Sequence, residues 1–266
     1  GNYLFDNDNE EYLLKIQSLN DDYSASKLTT GNISEGGKVS GNIQFKYDID
    51  WFKTIFESGK TYIINVEGSS TDSGKLRYPN IDGIYNSEGS LISNTSSSNS
   101  YNSEAKLTYT PTSEGIHFIS VKSYPYESTS YSVIGQYDLS ISVDDFDDTI
   151  STEGELTVNG SDITGQTQYY SDKDWFKVNL TAGIEYLITA SDQYGVDILG
   201  IYDSTGSLIT GTNIGTSQWI SSSDSSQQKH EKLFKASSSD TYYISIGDSY
   251  GSSSLGSYDL SIANFT

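Results

Sequence analysis

The chain has 266 residues, a length that suits two domains of about 130 residues each better than one sandwich. Lysine and arginine total 15 against 36 aspartates and glutamates, so the net charge of −21 excludes a nucleic-acid surface, which needs clustered cations. The absence of cysteine excludes disulfides, thiolate nucleophiles and cysteine-ligated metal sites. No apolar run reaches the roughly 18 residues of a membrane-spanning helix, so no membrane insertion is expected.

Residues 1–18 are predicted to be a linker or the end of a preceding domain. Residues 9–16 suit either a short helix, with Asn9 as its N-cap, or the last strand of that preceding domain. The N-terminus lacks the basic and apolar blocks of a signal peptide. We therefore expect this sequence to be an interior part of a larger multidomain chain.

The remainder is a tandem repeat. The segment DIDWFK at 48–53 recurs as DKDWFK at 172–177, an offset of 175 − 51 = 124 between the two tryptophans. Gly41 and Gly165 share this offset, and near the end GQYDLSI at 135–141 matches GSYDLSI at 256–262. The repeat predicts two domains, 19–143 (the first copy) and 144–266 (the second copy).

Within each copy the apolar residues alternate, as in half-buried strands. In the first copy, the alternating residues at 52–56 and 62–66 flank a turn at Gly59, which predicts a hairpin. The second copy has the same pattern at 176–180 and 186–190, and 241–246 with 257–262 predicts another hairpin. About eight short strands per copy predict an all-β protein of two tandem β-sandwiches, jelly-roll-like in type.

The order of these motifs resembles the bacterial pre-peptidase C-terminal domain. The resemblance rests on Asp-x-Asp-Trp-Phe, on Gly-x-x-Tyr, on Ile-Tyr-(Asn/Asp)-Ser-x-Gly at 84–89 and 201–206, and on Gly-x-Tyr-x-Leu-Ser-Ile. It covers roughly 19–143 and 144–264, although the usual Gly-Thr-Tyr-Tyr strand is altered in both copies. It implies a β-sandwich accessory module of a secreted peptidase or repeats-in-toxin adhesin. Some members of the family bind calcium, and some bind collagen or polysaccharide.

The resemblance places calcium between the acidic start of each domain and the loop before the tryptophan strand. Hard Ca²⁺ requires six to eight oxygen ligands, which two acidic loops can supply together with carbonyls and water. The alternative is that Asp50 and Asp174 cap turns while the other acids are solvated, and Asp147 and Asp148 are additional candidates in the second copy. The predicted calcium ligands are Asp21, Asp22, Asp48 and Asp50 in the first copy and Asp144, Asp145, Ser171, Asp172 and Asp174 in the second.

Aromatic residues suggest two further roles. Trp51 and Trp175 alternate out of phase with the core, so each either packs beneath a neighbouring loop or forms an exposed platform for sugars. Trp219 has no counterpart in the first copy and lies in an expanded polar loop, which favours ligand contact. The candidate ligand-binding residues are Trp219, Tyr194, Tyr250, Tyr124 and Tyr126.

The sequence gives only weak support for an enzyme. GDSYG at 247–251 fits a nucleophile-elbow pattern, but turn residues and another strand follow it, and both histidines, His117 and His230, precede it. We therefore expect a non-catalytic, extracellular calcium-binding module of a secreted or surface protein. Its expected partner is a polysaccharide or a matrix protein, with carbohydrate favoured because stacking and hydroxyl hydrogen bonds need no basic patch. The alternative is a calcium-rigidified spacer or folding module without its own ligand.

Overall fold

The computed structural model describes residues 20–68, 74–93, 104–123, 134–169, 171–192, 196–209, 228–248 and 256–265. Every regular element in these residues is a β-strand, which confirms the predicted all-β class. No helix that could cross a membrane occurs in them. The predicted helix or strand at 9–16 lies outside the described residues.

Nine strands precede Asp144 in the described residues, against the eight expected. They are β1 Gly31–Asn32, β2 Lys38–Ile43, β3 Ile49–Phe56, β4 Tyr62–Gly68, β5 Pro79–Tyr85, β6 Leu91–Ser93, β7 Glu104–Tyr109, β8 Gly115–Ser123 and β9 Gly135–Val143. Seven described strands follow. They are β10 Ile163–Thr167, β11 Lys173–Leu180, β12 Glu185–Asp192, β13 Val196–Tyr202, β14 Gln228–Lys235, β15 Asp240–Asp248 and β16 Gly256–Asn264.

Each half of the chain forms two sheets around one apolar core. In the first copy the strand orders are β1-β3-β8-β5-β6 and β2-β9-β4-β7, and in the second they are β11-β15-β13 and β10-β16-β12-β14. The buried residues of both sheets in a copy form one cluster, for example Phe52 of β3 with Ile64 of β4. Both copies are therefore β-sandwiches, with their inner faces supplied by alternate residues of each strand.

The predicted hairpins are wrong. β3 pairs with β1 and β8, whereas β4 pairs with β7 and β9, so the turn at Gly59 carries the chain from one sheet to the other. β11 and β12 are separated in the same way, as are β15 and β16. Alternation specifies only that each strand has one buried face, and two strands on opposite sides of a core meet that condition as well as a hairpin does. Phe56 and Tyr62 accordingly pack across the core, with ring centroids 4.3 Å apart.

The two repeated tryptophans are packing residues. Trp51 is 9% exposed and Trp175 is 8% exposed, so neither is a sugar platform. Their rings lie 4.2 Å from Tyr85 and 4.1 Å from Tyr202, respectively. Each indole also lies close to the turn that follows this tyrosine, through Gly89 in the first copy and Gly206 in the second.

Candidate metal centre

The first acidic group forms where the chain enters β3. Asp48 precedes the strand and Asp50 is its second residue, so alternation directs both side chains to the face that carries Phe52. Asp50 is fully buried and Asp48 is 3% exposed. A tight turn fixes this entry: the Asp48 amide donates to the Phe45 carbonyl at 3.2 Å, and Tyr47 has a φ of 72°.

A tyrosine from the opposite sheet orients Asp50. Tyr137 of β9 is fully buried, and its hydroxyl donates to Asp50 Oδ2 at 2.5 Å. The hydroxyl has room because its antiparallel partner on β2 is Gly41, where a Cβ would overlap it. The other oxygen of the carboxylate, Asp50 Oδ1, is buried and accepts no hydrogen bond.

The start of the first copy supplies a third carboxylate. Three oxygen atoms lie within 4.8 Å of one another, one each from Asp21, Asp48 and Asp50. Asp22 is outside this group; its Oδ2 accepts from the Asn42 amide at 3.0 Å and its Oδ1 accepts from Gln44 Nε2 at 2.5 Å. The structure therefore brings together three of the four acids predicted for this copy.

The second copy repeats the buried pair. Asp174 is fully buried and accepts a hydrogen bond on Oδ2 from the Tyr258 hydroxyl, while its Oδ1 accepts none. Tyr258 faces Gly165 across β16 and β10, and a Cβ on Gly165 would overlap the hydroxyl. The same glycine, tyrosine and aspartate thus recur in both copies.

The membership of the second group differs from that of the first. Its three oxygen atoms within 4.8 Å of one another come from Asp144, Asp145 and Asp174. Asp145 corresponds to Asp22, because its Oδ2 accepts from the Gln166 amide at 2.8 Å. Asp172, which corresponds to Asp48, is outside this group of three; it is 2% exposed, and its Oδ1 is buried without a hydrogen bond.

Two further residues that were predicted as calcium ligands of the second copy, Ser171 and Asp147, are outside its group of three oxygens. Ser171, the expected neutral oxygen donor, is exposed and has a φ of 64°, as Tyr47 has at the equivalent turn, so its role as a ligand stays a prediction. The carbonyl of Asp147 accepts from the Trp175 amide at 3.2 Å. Asp144 and Asp145 line a cavity of about 430 Å³ beside the turn at 57–61.

Burial makes these carboxylates hard to ionise. Loss of hydration raises the pKa of Asp50 to about 8, against the lowering effect of the Tyr137 hydrogen bond, and Asp22 and Asp48 raise it further. In the second copy, loss of hydration and then the charge of Asp172 raise the pKa of Asp174 to about 9. The pKa of Asp144 is raised to about 8 and that of Asp172 to about 6, mainly by burial.

A divalent cation fits this chemistry. A buried carboxylate oxygen without a donor is costly, and both Asp50 and Asp174 present one beside two further carboxylates. The ligand atoms in both groups are oxygens, the donor set that hard cations prefer. These residues could therefore hold a calcium ion in each copy.

Sequence reasoning missed the tyrosines and the glutamines of the site. Tyr137 and Tyr258 belong to the Gly-x-Tyr-x-Leu-Ser-Ile motif, and their repetition together with Gly41 and Gly165 was the available signal. Gln44 was also missed: its side-chain amide donates a hydrogen bond to Asp22 Oδ1. The five aromatic residues predicted to bind ligand, Trp219, Tyr194, Tyr250, Tyr124 and Tyr126, lie outside the described residues.

No protein-family model matches the chain, and no curated protein matches it. Among solved structures, the pre-peptidase C-terminal domain of a collagenase from Bacillus anthracis is similar at 13% identity and a TM-score of 0.31, over 42% of this chain and 92% of that one. The ANXUR2 extracellular domain from Arabidopsis thaliana is 9% identical with a TM-score of 0.22, over 84% and 82%. The CUB1-EGF-CUB2 domains of rat MASP-1 are 9% identical with a TM-score of 0.22, over 86% and 99%. Membership of the pre-peptidase C-terminal family stays a prediction from the motifs.

Proposed function

We propose that this chain is a non-catalytic, extracellular accessory module that binds one calcium ion in each β-sandwich. The observation that carries the proposal is the pair of fully buried aspartates, Asp50 and Asp174, each with one oxygen held by a tyrosine and the other without a donor. In both copies one oxygen of this aspartate lies within 4.8 Å of a carboxylate oxygen from the domain start. Such an arrangement is costly when ionised and becomes favourable with a cation.

The protein's own residues would act as ligands and as orienting groups. Asp21, Asp48 and Asp50 would hold the ion in the first copy, while Tyr137 fixes the rotamer of Asp50. Bound calcium would supply the positive charge that neutralises these carboxylates. Because Asp21 precedes β1 and Asp50 lies on β3, their shared ligation would fasten the start of the domain to its core.

The second copy would bind calcium in the same way. Asp144, Asp145 and Asp174 would hold the ion, with Asp172 close enough to raise the pKa of Asp174 by its charge. Asp144 directly follows β9, and its amide donates to the Thr61 carbonyl at 3.1 Å. Calcium at this site would therefore stiffen the segment between the two copies, which supports the role of a calcium-rigidified spacer.

The expectation that the module binds a polysaccharide or a matrix protein rests on aromatic residues that lie outside the described residues. It remains a prediction from the sequence and has its own test: a glycan and matrix-protein array with and without EDTA, repeated with Trp219→Ala. Binding that requires calcium and Trp219 would support a binder. No binding to either class, together with a large calcium-induced rise in melting temperature, would leave the spacer role.

Isothermal titration calorimetry tests the calcium proposal directly. Wild-type protein should bind two calcium ions, and Asp50→Asn and Asp174→Asn should each bind one, because asparagine keeps the tyrosine hydrogen bond but removes the charge. Asp162→Asn is the matched control, because it removes the same charge from an exposed residue directly before β10. Gln168, which contacts Asp172, lies at the other end of that strand. Two ions bound by both variants, or none by wild type, would contradict the assignment.

A further inference from the structure

The two acidic groups differ in one member from the start of the domain. Asp22 and Asp145 are equivalent, because each accepts a backbone amide hydrogen bond on Oδ2, from Asn42 at 3.0 Å and from Gln166 at 2.8 Å. Asp145 belongs to the second group of three carboxylate oxygens, whereas Asp22 is outside the first. Because this backbone contact is the same in both copies, it does not account for the difference.

A glutamine side chain beside this acid has different partners in the two copies. Gln44 and Gln168 occupy the same position of the repeat. Their backbone amides donate to Asp48 Oδ2 at 2.8 Å and to Asp172 Oδ2 at 2.5 Å, respectively. In the first copy Gln44 Nε2 donates to Asp22 Oδ1 at 2.5 Å, so both oxygens of Asp22 accept hydrogen bonds. Gln44 Oε1 is buried and accepts none.

In the second copy the end of the first copy contacts the glutamine. Gln168 Nε2 donates to the Val143 carbonyl at 3.1 Å, and Gln168 Oε1 accepts from the Asp145 backbone amide at 3.1 Å. Val143 is the last residue of β9 and pairs with Tyr62 of β4, so the first sandwich fixes its position. The equivalent residue in the first copy is Asn20, which is exposed and lies in no strand. Both of these hydrogen bonds of Gln168 are to the backbone, and neither uses the carboxylate of Asp145.

We propose that this glutamine determines whether the second acid of each domain start binds the cation. Gln44 keeps Asp22 out of the first site. Gln168 is turned to the Val143 carbonyl instead, so the Asp145 carboxylate is left for the second ion. This inference rests on the proposed calcium sites, and both glutamines are positioning residues. The first copy thus contributes to the second site through one carbonyl group, and the two ions have different sets of ligands.

Replacement of Gln44 tests the first site by isothermal titration calorimetry. In an Asp174→Asn background only that site should bind calcium. Gln44→Met keeps an unbranched side chain but removes its donor, so it should tighten the affinity about tenfold, the lower end of the effect of groups that support metal ligands. Adding Asp22→Asn to Gln44→Met should abolish this gain. Gln136→Met, which changes an exposed glutamine of β9, is the matched control and should leave the affinity unchanged.

The second site should respond in the opposite direction. In an Asp50→Asn background, Gln168→Met should weaken the calcium affinity about tenfold, because the Asp145 backbone loses its acceptor and the link to Val143 is lost. A purely structural role would instead weaken both sites and lower the melting temperature in EDTA for both glutamine variants. Opposite signs at the two sites therefore separate positioning of a ligand from packing.

Three results would overturn the proposal while the calcium sites stand. They are an unchanged or weaker first-site affinity in Gln44→Met, a gain that survives Asp22→Asn, and an unchanged or tighter second-site affinity in Gln168→Met. If Gln44→Met does not fold, Asp22→Asn alone decides the question, because a loss of first-site affinity would show that Asp22 is already a ligand. Wild-type protein that binds no calcium would overturn both the proposal and the calcium sites.

Discussion

Burying an aspartate in a β-sandwich core costs free energy unless its charge is neutralised, and Asp50 and Asp174 are both fully buried. A tyrosine hydroxyl satisfies one oxygen of each, but a neutral donor does not replace the lost hydration. Loss of hydration therefore raises the pKa of Asp50 to about 8 and that of Asp174 to about 9. We therefore expect both side chains to hold a proton in the metal-free protein at neutral pH.

Calcium binding should release these protons. A cation requires ionised ligands, so at pH 7.4 the first site is expected to release about one proton per ion and the second about two, because Asp144 and Asp174 both have raised pKa values. The measurement is the binding heat in HEPES and in Tris, whose ionisation enthalpies differ, and apparent affinity should also rise from pH 6 to pH 9. Equal heats in the two buffers would show that the buried aspartates are already ionised before the cation arrives.

The metal-free protein should also lose stability as the pH rises. An unfolded aspartate loses its proton near pH 4, whereas Asp50 and Asp174 keep theirs in the folded state up to pH 8 to 9. Between these values the folded state binds more protons, so raising the pH favours unfolding. The melting temperature in EDTA should therefore be lower at pH 8.5 than at pH 5. The difference should shrink in the Asp50→Asn/Asp174→Asn double variant, and a rising or flat profile in the wild type would contradict the shifted pKa values.

At the scale of strands, each buried aspartate depends on a glycine opposite a tyrosine. Gly41 on β2 faces Tyr137 on β9, and Gly165 on β10 faces Tyr258 on β16. Because glycine has no side chain, the tyrosine ring has space to extend across it toward the other sheet. The pairing of an edge strand with its neighbour thus positions the tyrosine that holds the buried aspartate.

Alanine at either glycine should damage both stability and binding. Gly41→Ala and Gly165→Ala should each lower the free energy of unfolding by about 1–3 kcal/mol, the usual cost of overpacking, and should weaken calcium binding in their own copy only. Urea unfolding and calorimetry measure the two effects. Gly74→Ala is the control, because a Cβ there meets open space. Full calcium affinity in Gly41→Ala would show that Tyr137 does not orient Asp50.

The same strands mark the limit of what the sequence could predict. Repetition and alternation were sufficient for the all-β class and for acids meeting at the start of β3, since Asp48 and Asp50 lie two residues apart. They could not assign strands to sheets, because Phe56 and Tyr62 face one core from opposite sides. Nor could they show that Asp22 lies outside the group and accepts a hydrogen bond from Gln44, since that depends on a contact between separate segments of the chain.

At the scale of the whole molecule, each copy has its own sheets and its own core. One cluster runs from Ile33 to Ile141 and the other from Leu156 to Ile262. All strand pairs in the described residues join strands of the same copy. We therefore expect each copy to fold independently, and the domain bounds 19–143 and 144–266 stay a prediction from the sequence repeat.

The two copies differ at their starts, however, because the second group of acids begins at the junction itself. Asp144 follows the last residue of β9, its amide donates to the Thr61 carbonyl of the first copy, and Gln168 Nε2 donates to the Val143 carbonyl at 3.1 Å. The acids of the first group all belong to the first copy and lie away from this junction in the chain. Separating the copies should therefore leave the first site intact and loosen the second.

Two fragments test this expectation. Residues 1–143 should unfold cooperatively and bind one calcium ion with the affinity of the first site in the intact chain. Residues 144–266 should also fold, because their core is complete, but should bind calcium more weakly, since Asp144 becomes the chain terminus and loses its backbone anchor. A fragment of residues 140–266 that retains the Val143 carbonyl should recover part of that affinity. A first fragment that fails to fold, or a second that binds as tightly as the intact chain, would contradict this account of the junction.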